Sequence, residues 1–314
     1  MKILAGNGCP DLARRVSGIL NVPMLRAEVR NFSDGEIKVE IFEHIRGEDI
    51  YVIQSTCSPV NDNLMELLIM ADAARRSDAR SIIAVIPYYG YARQDRRPKT
   101  SRTPITSRLV ADMIQSAGYE RVITVDLHSG QQQGFFTIPV IGMSAFPIIV
   151  ADIFRRYESP MLVSPDAGGV ERVRIVAKQC NNADLAIIDK RRPKANDSIV
   201  MNIIGDVQDR DCIIVDDMVD TAGTLCKGAK GLKDAGAKKI VAYCTHPVLS
   251  GYAVHNIVNS VIDELVVADT IPLNDIARMD GGEKIRVLSI SSLLAETILR
   301  LDQHKSVGAI YIDD

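Results

Sequence analysis

Three features of the sequence predict an α/β fold made of two similar domains, each a mainly parallel sheet flanked by helices. Apolar runs of strand length alternate with helix-periodic segments almost from end to end, the pattern of a parallel sheet wrapped by helices. A length of 314 residues exceeds one ordinary core and suits two units of about 150 residues. The halves also repeat each other: Ser116-Ala117-Gly118 through Asp126-Leu127-His128 matches Asp234-Ala235-Gly236 through Cys244-Thr245-His246 at one constant offset.

Taken in order, strands are expected at Lys2–Gly6, Ile37–Phe42, Ile50–Ser55, Ser81–Pro87, Val122–His128 and Met161–Ser164. Further strands are expected at Leu185–Asp189, Cys212–Asp216, Ile240–Thr245, Leu265–Ala268 and Ile285–Ile290. Helices fill the gaps. One covers 61–76, where Leu64, Leu67, Leu68 and Ala71 recur at helical spacing and Asn63 is available as a cap. Thr103 and Thr106 fall on Thr221 and Thr224 at the repeat offset, so each half has a T-x-x-T entering a helix. Further upstream the offset grows, because Asp78–Val85 matches Asp209–Asp216, and the first half therefore carries an insertion around Tyr89–Arg102. An insertion at the carboxyl end of a strand lies where open α/β sheets bind ligands, the plainer alternative being ordinary drift in loop length. The domain limits are set at 1–142 and 143–291, with a last helix at Leu293–Leu301 inside a C-terminal segment, 292–314.

Composition narrows the function classes. The chain is 46% hydrophobic and 25% charged with a formal net charge of -3, which describes a soluble globular protein without the Lys/Arg excess of a nucleic-acid binder. The six cysteines never form C-x-x-C and read as reduced residues of a cytoplasmic protein. The N-terminal apolar stretch is too short for a signal peptide. The uncharged stretch 129–151 holds Gln131-Gln132-Gln133, Pro139 and Pro147, so it is read as a strand, a loop and a helix start rather than a membrane span. No Gly-Lys dipeptide exists, which removes the P-loop pattern. Gly6-Asn7-Gly8 begins a dinucleotide fingerprint, but Asp11 occupies its third glycine position, so the two glycines are read as a tight turn.

The strongest constellation runs from Cys212 to Thr224: a buried strand ending in Asp216 and Asp217, then Asp220-Thr221-Ala222-Gly223-Thr224 opening a helix. Free helix N–H groups and the two threonine hydroxyls can hold a terminal phosphate, and the acids can accept hydrogen bonds from vicinal sugar hydroxyls. The plainer alternative is a helix capped by Asp220 or Thr221. Phe32-Ser33-Asp34-Gly35-Glu36 sets a ring and two carboxylates on a loop that can stack and bond a purine, or simply turn a hairpin. The inserted loop carries Arg93, Gln94, Asp95, Arg96 and Arg97 beside Tyr88, Tyr89 and Tyr91, offering guanidinium forks for phosphates and amide or aromatic groups for a base, or a solvated basic loop. His128 and Asp166 each follow a strand at the carboxyl edge, where a metal can be bound, although His128 taken alone reads equally as a structural histidine with its hydrogen bonds satisfied. Lys190, Arg191 and Arg192 are expected in the loop after Leu185–Asp189, as solvated charge or as cations for a reacting phosphate.

The Asp216–Thr224 stretch resembles the phosphoribosyl-diphosphate motif of the phosphoribosyltransferase fold, and in particular its form in the ribose-phosphate pyrophosphokinases. Phe32–Glu36, Pro87–Arg96, Val125–His128, Ser164–Gly169 and Asp189–Pro193 resemble the same family in the same order, over nearly the whole chain. The resemblance implies two phosphoribosyltransferase-like domains, with the C-terminal helix joining the first. It implies transfer of the diphosphate group of MgATP to the C1 hydroxyl of ribose 5-phosphate. ATP contacts would fall to Phe32, Asp34, Gly35, Glu36, Arg93, Gln94 and Asp95. Ribose 5-phosphate would meet Asp216, Asp217, Asp220, Thr221, Ala222, Gly223, Thr224 and Arg192. Lys190 and Arg192 would be catalytic, and His128 and Asp166 would hold Mg²⁺. A homohexamer is implied, with Phe32–Glu36 set against a neighbouring subunit's ATP. Ser129–Phe136 resembles a segment near a phosphate or ADP regulatory site, whereas the tail Val307–Asp314 is not the family's usual ending.

Overall fold

The computed structural model describes residues 1–191, 200–279 and 283–310. The chain divides into two compact units: Met1–Ser144 with Thr270–Pro272 and Ser289–Asp314, and Ala145–Asp269 with Leu273–Leu288.

Unit 1 opens with β1 (Lys2–Ala5), α1 (Pro10–Leu20) and an antiparallel ribbon of β2 (Ala27–Asn31) and β3 (Ile37–Ile41). It continues through β4 (Asp49–Ile53), α2 (Val60–Arg76), β5 (Ser81–Ile86), α3 (Thr106–Ala117), β6 (Arg121–Val125) and β7 (Val140–Met143). Strands β1, β4, β5, β6 and β7 are parallel and lie side by side in chain order. Near-continuous apolar runs such as Ile82–Ile86 form this sheet because helices cover both faces and leave no side for water.

Unit 2 runs through α4 (Phe146–Arg156), β8 (Met161–Ser164), α5 (Val170–Gln179), β9 (Leu185–Arg191), β10 (Val200–Ile204), β11 (Asp211–Val219) and α6 (Gly223–Asp234). Then come β12 (Lys239–Pro247), α7 (Ala253–Val258), β13 (Glu264–Ala268), α8 (Asp275–Met279) and β14 (Ile285–Leu288). Its sheet order is β10-β9-β8-β11-β12-β13-β14, parallel except for the β9–β10 pair. The winding direction reverses between β8 and β11, and open α/β sheets bind ligands beyond the carboxyl ends of strands at such a point. A last helix, α9 (Ser291–Asp302), packs against α1 in unit 1.

The internal repeat is visible in three dimensions. Helices α3 and α6 both end in a left-handed glycine turn, Gly118 at φ 111° and Gly236 at φ 91°, and each turn leads into the next parallel strand. Glycine pays no Cβ penalty in that conformation, which explains why the Ala-Gly pair recurs.

Several expectations are corrected. Asn63 does not cap α2, whose N-cap position is Pro59; it is buried, donates to the Cys57 carbonyl at 2.9 Å and accepts from Gln54 Nε2 at 3.3 Å. The strand expected at Val122–His128 ends at Val125, since Asp126 turns into positive φ. Strand β9 continues to Arg191, paired with β10, so Lys190 and Arg191 belong to a strand rather than a loop. Gly6 and Gly8 form a packed turn, as read: a Cβ on Gly8 would stand 2.2 Å from the Ser55 carbonyl oxygen. The turn is held from below, where Gly8 N–H donates to Gln54 Oε1 at 2.7 Å and Asn7 donates twice to the buried Glu66 carboxylate. All six cysteines are free thiols, and all but Cys226 are buried.

Candidate functional site

In unit 2 the candidate site residues gather in the carboxyl-terminal part of β11 and just beyond the carboxyl ends of β8 and β11. Strand β11 is apolar and buried from Cys212 to Val215 and carries on past the two acids to Val219. Asp216 and Asp217 therefore lie within the strand rather than at its tip. Both Oδ1 atoms accept from one nitrogen, Arg172 Nη1 on α5, at 2.9 and 3.0 Å. Burial and the neighbouring Asp217 carboxylate push Asp216 up to about 7, against the pull of Arg172.

Only residues 220–222 separate β11 from α6. Asp220 accepts from the Ser250 hydroxyl, and Thr221 carbonyl oxygen accepts from Asn256 Nδ2 at 3.0 Å, so the loop is held from the side of α7. The helix is capped by neither Asp220 nor Thr221. Its N-cap is Ala222, in the left-handed region at φ 59° with no side-chain oxygen to offer. An alanine held there costs about 1–2 kcal/mol, a strain that concentrates at binding sites. Among the described residues the N–H groups of Gly223, Thr224 and Leu225 have no acceptor. With Thr221 and Thr224 exposed beside them, this helix start can receive an anionic group.

Asp166 lies exposed just after β8, and its Oδ1 accepts from the N–H of Gly169, the N-cap of α5. Lys190 and Arg191 close β9 in register with Met201 and Val200, and Arg192 lies outside the described residues.

In unit 1 Phe32–Glu36 is the tip of the β2–β3 hairpin. Phe32 N–H donates to the Glu36 carbonyl at 2.7 Å, Gly35 turns at φ 94°, and Asp34 Oδ1 accepts from the Glu36 N–H. Phe32 is 46% exposed with the Arg30 guanidinium over its ring at 5.2 Å, an apolar face held out on a polar ribbon.

The inserted loop spans 87–105, between β5 and α3. Arg93 and Gln94 are exposed and Asp95 is half-buried. Gln94 Oε1 accepts from the Thr106 hydroxyl at 2.5 Å, and its backbone carbonyl accepts from the Ser107 N–H at 3.2 Å. The expectation that Tyr88 and Tyr89 offer a face for a base is overturned, because both are buried. Tyr89 packs its ring on Phe136 and donates its hydroxyl to the Ser107 carbonyl. His128 is exposed, three residues beyond β6.

Arg172 escaped the sequence reading. Its partners are more than forty residues away in the chain, and one of two arginines on an amphipathic helix carries no signal of its own.

Comparison with known proteins agrees across the chain. Residues 1–118 match the family model described as the N-terminal domain of ribose phosphate pyrophosphokinase, and 174–312 match the phosphoribosyl synthetase-associated domain. The chain is 54% identical over 313 residues to a ribose-phosphate pyrophosphokinase of Haemophilus ducreyi, covering 99% of this chain and 98% of that protein. It is 55% identical over 312 residues to one from a Marinomonas species, covering 99% and 98%. The crystal structure of phosphoribosylpyrophosphate synthetase from Mycobacterium smegmatis superposes with a TM-score of 0.90 at 38% identity, over 96% of this chain and 99% of that one.

Proposed function

Because the chain belongs to the ribose-phosphate pyrophosphokinase family, we propose that it transfers the diphosphate group of ATP to the C1 hydroxyl of ribose 5-phosphate. The C1 oxygen attacks the β-phosphorus in line, the bond from that phosphorus to the α–β bridging oxygen breaks, and AMP leaves with 5-phosphoribosyl 1-diphosphate as the other product. The observation that carries the assignment is the open start of α6 behind Ala222, set beside two strand carboxylates.

The 5-phosphate is held by the N–H groups of Gly223 and Thr224 and by the hydroxyls of Thr221 and Thr224. Asp220 and Ala222 fix the loop that presents them. Asp216 and Asp217 accept hydrogen bonds from the ring hydroxyls, which orients C1. ATP is held by Arg93, Gln94 and Asp95 and by the hairpin tip Phe32, Asp34, Gly35 and Glu36. The exposed ring of Phe32 suits a purine of a neighbouring copy, so a homo-oligomer, a hexamer by resemblance, completes the site. Lys190 and Arg192 stabilise the charge that builds on the transferring group. Regulation by phosphate or ADP near Ser129–Phe136 and a cytoplasmic location belong to the same reading.

The proposed metal donors are one carboxylate, Asp166, and one imidazole, His128. That donor set fits Mg²⁺, which takes one or two protein ligands and keeps its waters and substrate oxygens. Asp166 and His128, both exposed just past a strand, would hold it. When bound, the ion neutralises phosphate charge during transfer.

The test is direct. Incubation with ATP, Mg²⁺ and ribose 5-phosphate should release AMP stoichiometrically with the phosphoribosyl product, and release of ADP or of no nucleotide would refute the assignment. Lys190→Ala should lower kcat by about 100-fold or more while ATP affinity changes little. Unchanged turnover would remove Lys190 from the chemistry.

A further inference from the structure

We infer that Arg172 is a positioning residue for the sugar: its guanidinium gathers the Asp216 and Asp217 carboxylates into the one arrangement that the ribose hydroxyls require. This rests on the reading of the β11–α6 loop as the ribose 5-phosphate site.

Consecutive residues of a strand send their side chains to opposite faces of the sheet, so two adjacent acids do not ordinarily share a partner. Here Asp216 Oδ1 and Asp217 Oδ1 lie 2.9 and 3.0 Å from the same nitrogen, Arg172 Nη1. Asp216 Oδ1 also accepts the Asp217 N–H at 2.9 Å, which ties its carboxylate to the backbone between the two. Two carboxylates this close repel each other, and Asp217 is almost wholly buried, so water cannot screen them. A cation from another element is what makes the arrangement tenable. Arg172 is that cation, and only 22% of its side chain is exposed.

Its place in the chain adds a second consequence. Arg172 sits in the first turn of α5, directly after the Asp166–Gly169 loop whose carboxylate accepts the Gly169 N–H. The paired acids therefore fix the start of α5, and with it Asp166, against the end of β11. One side chain sets the spacing between the sugar-binding acids and the carboxylate assigned to the metal. The other guanidinium N–H groups of Arg172 have no partner among the described residues, so its role runs through the acids.

The experiment compares full-length wild type, Arg172→Met, Arg172→Lys, Asp216→Asn and the Asp216→Asn/Arg172→Met double variant by AMP release, with folding checked by circular dichroism. Arg172→Met should raise KM for ribose 5-phosphate about tenfold or more, with KM for ATP within about twofold, and Arg172→Lys should recover most of the loss. In the Asp216→Asn background, removing Arg172 should cost about threefold or less, because the repulsion between the two carboxylates that it offsets is already gone although Asp217 keeps its charge. Equal ribose 5-phosphate KM in wild type and Arg172→Met overturns the inference and leaves the proposed function standing. So does an equal penalty in both backgrounds, or a loss in Arg172→Met that falls equally on both substrates. A wild-type enzyme that releases no AMP refutes the proposed function itself, and this inference falls with it.

Discussion

Replacing Gly8 by alanine should destabilise unit 1 severely, whereas the same change at Gly18 should stabilise it. An added Cβ at Gly8 would lie 2.2 Å from the Ser55 carbonyl oxygen and 2.9 Å from Gln54 Oε1. Ordinary contact needs about 1 Å more, and neither neighbour can yield it. Ser55 is fully buried and its hydroxyl donates to the Thr270 carbonyl at 2.5 Å, while Gln54 bridges Gly8, Asn63 and Glu66. Overpacking costs about 1–3 kcal/mol, and loss of the buried Gly8–Gln54 hydrogen bond adds a similar amount, giving about 4 kcal/mol. For a unit of this size that lowers Tm by roughly 10 °C. Gly18 lies within α1 with nothing within 4 Å of its would-be Cβ, so Gly18→Ala should add about 0.5–1 kcal/mol through helix propensity alone. Scanning calorimetry of the full chain measures both. A Gly8→Ala protein melting within about 2 °C of the parent would refute the packing account of the Gly6–Gly8 turn.

Three further outcomes are expected. The Arg80 hydrogen bond, more than the opposing effect of burial, holds Asp49 down to about 2. Its stabilisation is therefore complete above the unfolded value of about 4 and is lost as pH falls through about 2, so urea midpoints of Asp49→Asn should fall less steeply than the parent's across that window. Asn256→Ala removes the 3.0 Å bond to the Thr221 carbonyl and should raise KM for ribose 5-phosphate by about five- to tenfold with kcat nearly intact, and steady-state AMP release checks the split. Calorimetric titration should find one equivalent of ribose 5-phosphate bound per chain, although the strand–loop–helix unit occurs twice; two equivalents would contradict the difference between α3 and α6.

The fold class was legible because buried parallel strands must be apolar on both faces, and runs such as Ile82–Ile86 or Cys212–Val215 have no other use. Strand β2 left no such mark. None of its residues is buried, so Ala27–Asn31 reads as loop until its pairing with β3 is seen. Strand β10 is an edge strand, and Ile204 within it is half exposed. The candidate loop at 220–224 was legible because its hydroxyls, small residues and acids lie in one short segment. The acid pair's anchor was not, since Arg172 reaches Asp216 and Asp217 from another helix. Tyr88 and Tyr89 misled for the opposite reason: aromatic residues beside a basic loop suggest a ligand face, yet they close the core beneath that loop.

The duplicated unit shows how one local design was turned to two ends. In unit 2, residues 220–222 are all that separate β11 from α6. A connection that short forces Ala222 into the left-handed region and leaves the first N–H groups of the helix facing outward. In unit 1 the equivalent junction has been opened to 87–105, and the longer chain folds back on the helix it precedes. Gln94 gives its backbone carbonyl to the Ser107 N–H and its side-chain carbonyl to the Thr106 hydroxyl. The hydroxyl of Thr106, the counterpart of Thr224, and the Ser107 N–H are thereby taken up within the protein, while the Ile105 and Thr106 N–H groups have no acceptor among the described residues. Without the strain of a three-residue turn, the N-cap at Ile105 adopts an ordinary negative φ of −106°. Two differences therefore accompany one change of length: α3 begins with fewer open donors than α6, and Arg93, Arg96 and Arg97 stand exposed on the longer loop. The halves share a local design, while among the described residues the helix start of the second keeps more of its donors open.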